Sequence, residues 1–375
     1  MSDTRASFDR VPSLDGLRAI SILIVLLSHF VSSRIFPGGF GVLVFFVVSG
    51  FLITRLLYAE ANSTGRIRLG NFYLRRFFRL YPVVTVYAAC VVLFCMFTHV
   101  RIDWYEPLSA LFYFANYLYA LDPAVTRVGA GAMPFSIFWS LSVEEHFYFI
   151  FPVLFLILRR RPRTLITTLI LVCALCLALR ILLAAAYPQW LDTKIFYYTD
   201  LRLDSIVFGV LLAAVCETRQ GRNLVTLLGH PLAVAGAALA IILSLIIRDP
   251  WFRETLRYSL QAGAVVVILA ALVFSDRYRA VQTILNFSFV SWIGLLSYSL
   301  YVWHPLLPII LYRAVPGFPH KLEAPICLVA SLAVAAISYY GLEKPAGALR
   351  HKFGSRTAGT QEFGKLRTTT GEKQA

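Results

Sequence analysis

The chain has 375 residues, of which 58% are hydrophobic and only 15% are charged, and its formal net charge is +15. This composition excludes an ordinary soluble globular domain and is typical of α-helical proteins that cross a membrane several times. A basic soluble chain would suggest nucleic-acid binding, but here the basic residues stand in short segments between apolar runs. That distribution follows the positive-inside rule, so we expect a lipid bilayer and no nucleic acid as partner.

Ten apolar segments are long enough to cross a bilayer and predict an all-α polytopic membrane protein. An eleventh run, residues 108–121, is short and rich in Tyr, Phe and Asn, so we predict an interfacial or re-entrant segment. When this run is left out of the count, the basic clusters at 66–79 and 159–163 share a side, which places both termini in the cytoplasm. The predicted spans are 17–35, 40–58, 82–99, 138–158, 164–185, 201–216, 231–247, 257–275, 290–312 and 324–342.

These spans predict a single transmembrane domain over residues 10–345. The remaining residues, 346–375, are rich in Gly, Thr, Lys and Arg, and so polar a composition predicts a basic, disordered cytoplasmic tail. We detect no internal repeat and no sign of a second globular domain.

Arg18 and His29 stand at the two ends of the first apolar segment. Eleven residues make about three helical turns, so the two side chains share a helix face and lie roughly 16 Å apart along the axis. Ionisable groups at membrane depth are costly, and they usually pair, line a wet cavity or take part in chemistry. Imidazole can take a proton from a hydroxyl near neutral pH, so His29 is a candidate general base. A histidine that only forms a hydrogen bond between helices is the alternative.

Three arginines, Arg75, Arg76 and Arg79, come just before the third predicted span. Arg76 and Arg79 are three residues apart, so one helical turn places both guanidinium groups on one side. Paired arginines suit bidentate recognition of phosphate. The alternative is a basic segment that sets the topology and contacts anionic lipid.

Two carboxylates and an imidazole, from residues 144 to 146, enter the fourth span from its predicted outer side. Glu144 lies about 9 Å from the start of that helix. A carboxylate at this depth could orient His29 or stabilise its imidazolium form. A structural salt bridge to another basic residue within the membrane is the alternative.

Polar residues also interrupt the later spans. Arg202 and Asp204 open the sixth span, His304 lies in the outer half of the ninth, and Arg180 is a lone charge in the fifth. Ionisable groups of several helices at one depth predict a polar cavity that opens outward. The residues assigned to the acceptor or to this cavity are Trp139, Ser142, Arg202, Asp204 and His304.

The sequence gives no reason to expect a metal or a bound cofactor. No zinc-like spacing of His, Cys or Glu occurs, and a metal shared by His29, His146 and His304 is disfavoured. No nucleophile elbow of the form GxSxG is present, and no serine or cysteine is placed beside His29 strongly enough to favour an acyl-enzyme.

Six segments, in this order, make the chain resemble the membrane acyltransferase-3 family, which includes bacterial O-acetylases of cell-surface polysaccharides. The resemblance covers essentially residues 10–345. The matching segments are LDGLR (14–18) with the histidine at 29, VFFVVSGFLI (44–53), FYLRRFFRLYP (72–82), WSLSVEEHFY (139–148), RLD (202–204) and SYSLYVWH (297–304).

The resemblance implies an acyl-CoA donor, usually acetyl-CoA, bound from the cytoplasm and acting as co-substrate. It implies a hydroxyl of a glycan or glycolipid on the outer side as acceptor. By motif, His29 is the catalytic base with Arg18 as its partner, and Arg76 and Arg79, with the adjacent Arg75, contact the CoA phosphates. Glu144 also falls in a family motif, whereas His146 stands where the family often has Gln. Some relatives append an esterase-like extracellular domain, and we expect none here.

The residues and the resemblance together predict an O-acyltransferase in a bacterial inner membrane, with His29 deprotonating the acceptor hydroxyl for direct attack on the acyl carbonyl. Two other classes stay open. A proton-coupled transporter of an anionic or acylated solute would use His29 and Glu144 as a proton relay, but transporters often show related halves, which are not seen here. A catalytically silent sensor or scaffold is the third. The acceptor, the acyl chain length and the oligomeric state are left open.

Overall fold

The computed structural model describes residues 13–121, 134–191 and 193–350, and all regular secondary structure in these residues is helical. The α-helices are α1 (Leu14–Phe30), α2 (Gly38–Thr64), α3 (Leu69–Phe97), α4 (Tyr105–Leu111), α5 (Ala115–Leu121), α6 (Phe138–Leu158), α7 (Pro162–Ala186), α8 (Lys194–Tyr197), α9 (Thr199–Cys216), α10 (Arg219–Leu228), α11 (Pro231–Ile246), α12 (Pro250–Glu254), α13 (Leu256–Phe274), α14 (Arg279–Leu285), α15 (Ser288–Trp303), α16 (Leu306–Ala314), α17 (His320–Ser338) and α18 (Lys344–Arg350). A π-helical turn, Tyr339–Glu343, joins the last two.

Six helical stretches among the described residues are long and apolar enough to cross a membrane, which supports a multi-pass membrane protein. The six are α2, α3, α6, α7, α13 and the continuous stretch Lys321–Leu349. Two bent pairs raise the number to eight if each pair is one span. They are α10 with α11, bent by 68°, and the stretch Asp276–Leu285, which includes α14, with α15, bent by 70°. Helix α1 has only 17 residues, and α9 carries Asp200, Arg202 and Asp204 near its start. The count of ten spans and the cytoplasmic termini therefore stay predictions.

The run 108–121 forms parts of two short helices, α4 and α5, of seven residues each. The chain turns between them, where Tyr113 has a φ of 55°. Neither helix is long enough to cross a bilayer, which agrees with the prediction that this run is not a span. At the other end of the chain, the first five residues of the predicted tail, 346–350, are helical and belong to α18. Residues 351–375 lie outside the described residues.

Close approach of backbones holds the central helices together. A side chain at Gly50 of α2 would collide with the carbonyl oxygen of Ile206 on α9, and one at Gly209 of α9 would collide with the carbonyl oxygen of Val47. Small residues allow this spacing, which helices in a membrane use where apolar surface alone does not drive association. Helix α1 packs between α2 and α15, and α9 packs against α2, α7 and α13.

Helix α3 begins well before the predicted span at 82–99. It begins at Leu69 and continues through Pro82, so Arg75, Arg76 and Arg79 lie on the same helix as the span and not in a loop before it. Arg75 pairs with Glu60 of α2, and Arg76 contacts Tyr148 and Glu144 of α6.

Candidate functional site

Two histidines meet where the C-terminal ends of α1 and α15 come together. His29 lies in the last turn of α1, and His304 follows the last residue of α15. The Nε2 atom of His304 is 3.1 Å from Nδ1 of His29, and the ring centroids are 4.9 Å apart. The sequence predicted His29 as the catalytic base and His304 as a residue of the acceptor cavity, but it did not predict this contact. The structure brings them into direct hydrogen bonding.

The backbone around His304 determines which ring nitrogens carry protons. Its Nδ1 atom lies 2.8 Å from the carbonyl oxygen of Tyr301 and 3.2 Å from that of Leu300. Carbonyl oxygens only accept, so Nδ1 of His304 is the N–H donor, and its Nε2 is an acceptor in the neutral ring. That Nε2 then accepts from Nδ1–H of His29. The Nε2 atom of a neutral His29 is therefore left unprotonated, as a general base requires.

A cavity of about 410 Å³ lies beside this pair. Its size falls within the range of roughly 300–1,000 Å³ that is usual for small-molecule sites. The walls are largely apolar and come mainly from α3, the segment that precedes α6, and α16, with fewer polar groups between them. The side chain of His304 is buried, whereas that of His29 is accessible from the cavity. The ionisable residues of the lining are His29, His304, Cys95, Glu106, Tyr312, Arg313 and Glu323.

A second cluster surrounds the arginines of α3. The guanidinium of Arg76 lies over the ring of Tyr148, 3.4 Å from its centroid, and its Nη2 is 4.0 Å from Oε1 of Glu144. Glu144 accepts hydrogen bonds from the hydroxyls of Tyr148 and Ser49. Arg76 is thus held by aromatic and carboxylate neighbours on α6.

Arg18 joins this cluster from α1. It lies 3.9 Å from Asp15 and within electrostatic range of Arg79 and Glu144. Arg75, by contrast, turns to the end of α2, where its Nη2 is 2.6 Å from Oε2 of Glu60. The structure therefore groups Arg18 with Arg76 and Arg79 and separates Arg75 from them.

The position of Glu144 corrects one expectation. From the sequence, this carboxylate could orient His29 or stabilise its imidazolium form, but its partners in the structure are Ser49, Tyr148 and Arg76. The partner of His29 is His304. The depth of Glu144 along α6 was correct, but depth alone does not decide which neighbouring helix the side chain faces.

Asp204 and Arg180 form a buried ion pair. Both guanidinium Nη atoms of Arg180 contact the carboxylate, at 2.9 and 2.6 Å, and both side chains are fully buried. Ser259 donates to the same carboxylate at 2.7 Å, and Arg180 also donates to the carbonyl of Thr255. Arg180 is therefore not a lone charge, and Asp204 faces the α7–α9–α13 interface and does not line the His29 cavity.

Arg202, Trp139 and Ser142 also lie away from that cavity. The guanidinium of Arg202 is fully buried over the ring of Tyr258, 3.5 Å from its centroid, and 5.6 Å from the ring of Trp139. None of its three nitrogens has a hydrogen-bond partner among the described residues. Ser142 donates to the carbonyl of Phe138, one turn earlier on α6. Of the five residues assigned to the acceptor cavity, only His304 lines it.

Sequence reasoning missed three polar side chains. Glu106 lines the cavity from α4, and Ser49 and Tyr148 hold Glu144. Ser49 and Tyr148 lie inside the family segments, so that position was the available signal. Glu106 stands just before the aromatic run 108–121. Its position beside a segment that is too short to span was the only feature of the sequence that could have pointed to it.

Comparison with known proteins places the chain in a family. A family model described as an acyltransferase domain, Acyl_transf_3, matches residues 11–340. The chain belongs to the acyltransferase-3 family. Its matched region includes both histidines of the pair and all the arginines of the second cluster. No solved structure matches this acyltransferase-3 chain.

Two relatives of this acyltransferase-3 chain are named as O-acetyltransferases. The chain is 29% identical over 361 residues to the O-acetyltransferase OatA of Staphylococcus aureus, covering 89% of this chain and 57% of that protein. It is 27% identical over 352 residues to the peptidoglycan O-acetyltransferase OatA of Listeria monocytogenes, covering 91% of this chain and 56% of that protein. The chain thus spans a little over half the length of these relatives.

Proposed function

We propose that this protein is a membrane O-acetyltransferase that moves an acetyl group from acetyl-CoA, bound from the cytoplasm, to a hydroxyl of a cell-envelope glycan, with His29 as general base. The acceptor class follows the names of the relatives, one of which is a peptidoglycan O-acetyltransferase. The observation that carries the chemistry is the His29–His304 pair, which leaves Nε2 of His29 unprotonated beside a cavity.

The proposed reaction needs one proton transfer and one acyl transfer. Nε2 of His29 takes the proton of the acceptor hydroxyl while its oxygen attacks the thioester carbonyl. The new C–O ester bond forms, the C–S bond breaks, and the CoA sulfur leaves as a thiolate that receives the proton back from the imidazolium. The products are the acetylated glycan and free CoA.

The arginine cluster supports the same proposal from the other end of α1. Arg18, Arg76 and Arg79 lie near one another, and their combined charge suits the phosphates of CoA. Arg18 and His29 are eleven residues apart on one helix, about 16 Å along its axis. A donor bound by its phosphates at the arginines would therefore have to extend its pantetheine arm along α1 to bring the thioester to His29.

The test is transfer of radiolabelled acetyl from acetyl-CoA to peptidoglycan glycan strands by the purified protein in detergent. His29→Ala should lower the rate by about 10²- to 10⁴-fold, the usual contribution of a general base. His146→Gln is the matched control, because that imidazole bonds to Thr199, 2.7 Å away, and does not line the cavity. Transfer at the parental rate by correctly folded His29→Ala protein would overturn the proposal.

The donor site is tested in the same assay. Arg76→Ala should raise the KM for acetyl-CoA by about ten-fold or more, since a hydrogen bond to a charged group contributes roughly 1.5–3 kcal/mol. Arg75→Ala is the control, because Arg75 is paired with Glu60 at the end of α2 and is separate from Arg18, Arg76 and Arg79. Equal effects of the two substitutions would argue against a phosphate site at Arg76.

A further inference from the structure

Glu106 occupies the same cavity as the two histidines. It is the second residue of α4, its side chain is 2% exposed, and it lines the cavity together with His29 and His304. Carboxylates are seldom so buried unless they are paired or hydrogen bonded. The position of Glu106 therefore requires an explanation that the donor site and the base do not supply.

The backbone groups of Glu106 are hydrogen bonded within the protein, and its carboxylate has a backbone partner only among the described residues. The backbone N–H donates to the carbonyl of Asp103 at 3.0 Å, and the backbone carbonyl accepts from the hydroxyl of Ser109 at 2.7 Å. The carboxylate interacts with the Asp103 backbone and has no side-chain hydrogen bond or ion pair within the part of the chain that the structure describes. A carboxylate offers about four acceptor positions, so most of its capacity is left for a group inside the cavity.

Charged and titratable groups of neighbouring elements lie near Glu106. The charge of Asp103 repels that of Glu106, and Cys95 of α3 and Tyr119 of α5 are its other electrostatic neighbours. Arg313 and Glu323 also line the cavity. Burial, with the charge of Asp103, raises the pKa of Glu106 to about 7. The group can therefore be either an acid or a carboxylate near neutral pH.

We propose that Glu106 binds the acceptor glycan, its carboxylate accepting a hydrogen bond from a second donor of the sugar, a hydroxyl or an amide N–H, while His29 acts on the hydroxyl to be acetylated. This inference rests on the proposed function and adds a specificity-determining residue to it. Two polar contacts at separate points of one sugar ring determine its orientation, so only one of its hydroxyls is presented to the base.

The rest of the cavity matches such an acceptor. Apolar residues such as Val91, Phe94 and Ile102 line it beside the polar groups. A sugar ring has C–H faces that pack on apolar surface and hydroxyls at its edge that need hydrogen-bond partners, so mixed walls of this kind suit it. An acetyl group alone would leave most of a 410 Å³ cavity empty.

The experiment compares wild type with Glu106→Gln, which keeps the shape of the side chain and removes its charge. The KM for peptidoglycan glycan strands and the KM for acetyl-CoA are measured separately, with kcat, between pH 6 and pH 8.5. At pH 8.5 we expect the variant's KM for the glycan to be about ten-fold higher, because the sugar's donor then bonds to a neutral amide in place of a charged carboxylate. Its kcat and its KM for acetyl-CoA should stay within two-fold of wild type.

The pH dependence supplies the readout that a structural role would not give. As the pH falls to 6, Glu106 of the wild type takes up a proton, so its KM for the glycan should rise toward that of Glu106→Gln. Asp103→Asn is the matched control: its side chain is exposed and accepts a hydrogen bond from Tyr105 at 2.8 Å. This variant should keep the low KM at pH 8.5.

Three results would overturn the inference. A Glu106→Gln protein with the wild-type KM for the glycan at every pH would assign Glu106 to structure alone. A loss of kcat at unchanged KM would move it into the chemical step. Absence of any His29-dependent acetyl transfer by the wild type would instead refute the proposed function, and this inference with it.

Discussion

Two groups of buried ionisable residues differ in how many hydrogen-bond partners the protein gives them. At the His29–His304 cavity, some polar atoms have no side-chain partner among the described residues and can contact a ligand. Between α7, α9 and α13, Arg180 and Asp204 are hydrogen bonded to the protein. Asp204 receives both Nη atoms of Arg180 and the hydroxyl of Ser259. Nε2 of His29 and the carboxylate of Glu106, in contrast, have no side-chain partner among residues 13–121, 134–191 and 193–350.

The difference shows that the residue type does not reveal the role of an ionisable group within a helical bundle. His29, Arg180 and Asp204 interrupt apolar segments of the sequence, and Glu106 stands just before one. What separates them is the number of partners that neighbouring helices supply. We therefore expect substitutions in the first region to change catalysis with little loss of stability, and those in the second to do the opposite.

The largest effect on stability should come from breaking the buried ion pair. Arg180→Ala leaves Asp204 as an uncompensated buried charge, which typically costs about 3–5 kcal/mol. The measurement is thermal unfolding of the purified protein in detergent. The matched control is Arg180→Met combined with Asp204→Leu, which removes both charges and should recover most of the loss. If Arg180→Ala unfolds at the wild-type temperature, the pair contributes nothing and the contrast between the regions fails.

Glu106 should show the next largest effect, and the effect should depend on pH. Burial raises its pKa from the usual 4.5 to about 7, so between these values the folded protein holds a proton that the unfolded chain has released. Stability therefore falls as the pH rises through this window and levels off above pH 7, by at most about 3 kcal/mol for a single group.

Glu106→Gln does not titrate, so this variant should unfold at a higher temperature than wild type above pH 7 and at the same temperature below pH 4.5. Asp103→Asn keeps Glu106 and should retain the fall in stability, displaced to slightly lower pH because the neighbouring charge is gone. A difference between Glu106→Gln and wild type that does not vary with pH would show that burial does not raise this pKa.

The smallest effect should come from replacing His304, which accepts the hydrogen bond of the proposed base His29. His304→Ala removes the acceptor for Nδ1–H of His29 and should lower kcat about ten-fold, the equivalent of one hydrogen bond of about 1.4 kcal/mol. The KM for acetyl-CoA should not change. His304→Gln places an amide oxygen at a similar distance and should restore most of kcat. Equal activity of His304→Ala and wild type would mean that the pair does not orient His29.

Much of the fold could be predicted because its evidence is local. Runs of apolar residues predicted helices at each of α2, α6, α7 and α13, and their length and charge follow directly from the sequence. The short run 108–121 was correctly predicted not to span, for the same reason. The common face of Arg18 and His29 also depends only on helical geometry.

The pairing of side chains between helices could not be predicted in this way. Glu144 faces Arg76 and not His29, and Asp204 faces Arg180 and not the cavity, because the rotation of each helix about its axis is set by packing. Periodicity shows which residues of one helix share a face, but it does not show which neighbour that face meets.

The sequence by itself determined the class of protein, the apolar helices and the set of ionisable residues placed among them, since hydropathy and spacing are properties of the chain alone. Only the tertiary structure decided which of those residues are satisfied by the protein and which face a cavity. Burial makes an unpaired polar group costly, and whether a group is paired depends on atoms far away in the sequence: His304 lies 275 residues beyond His29.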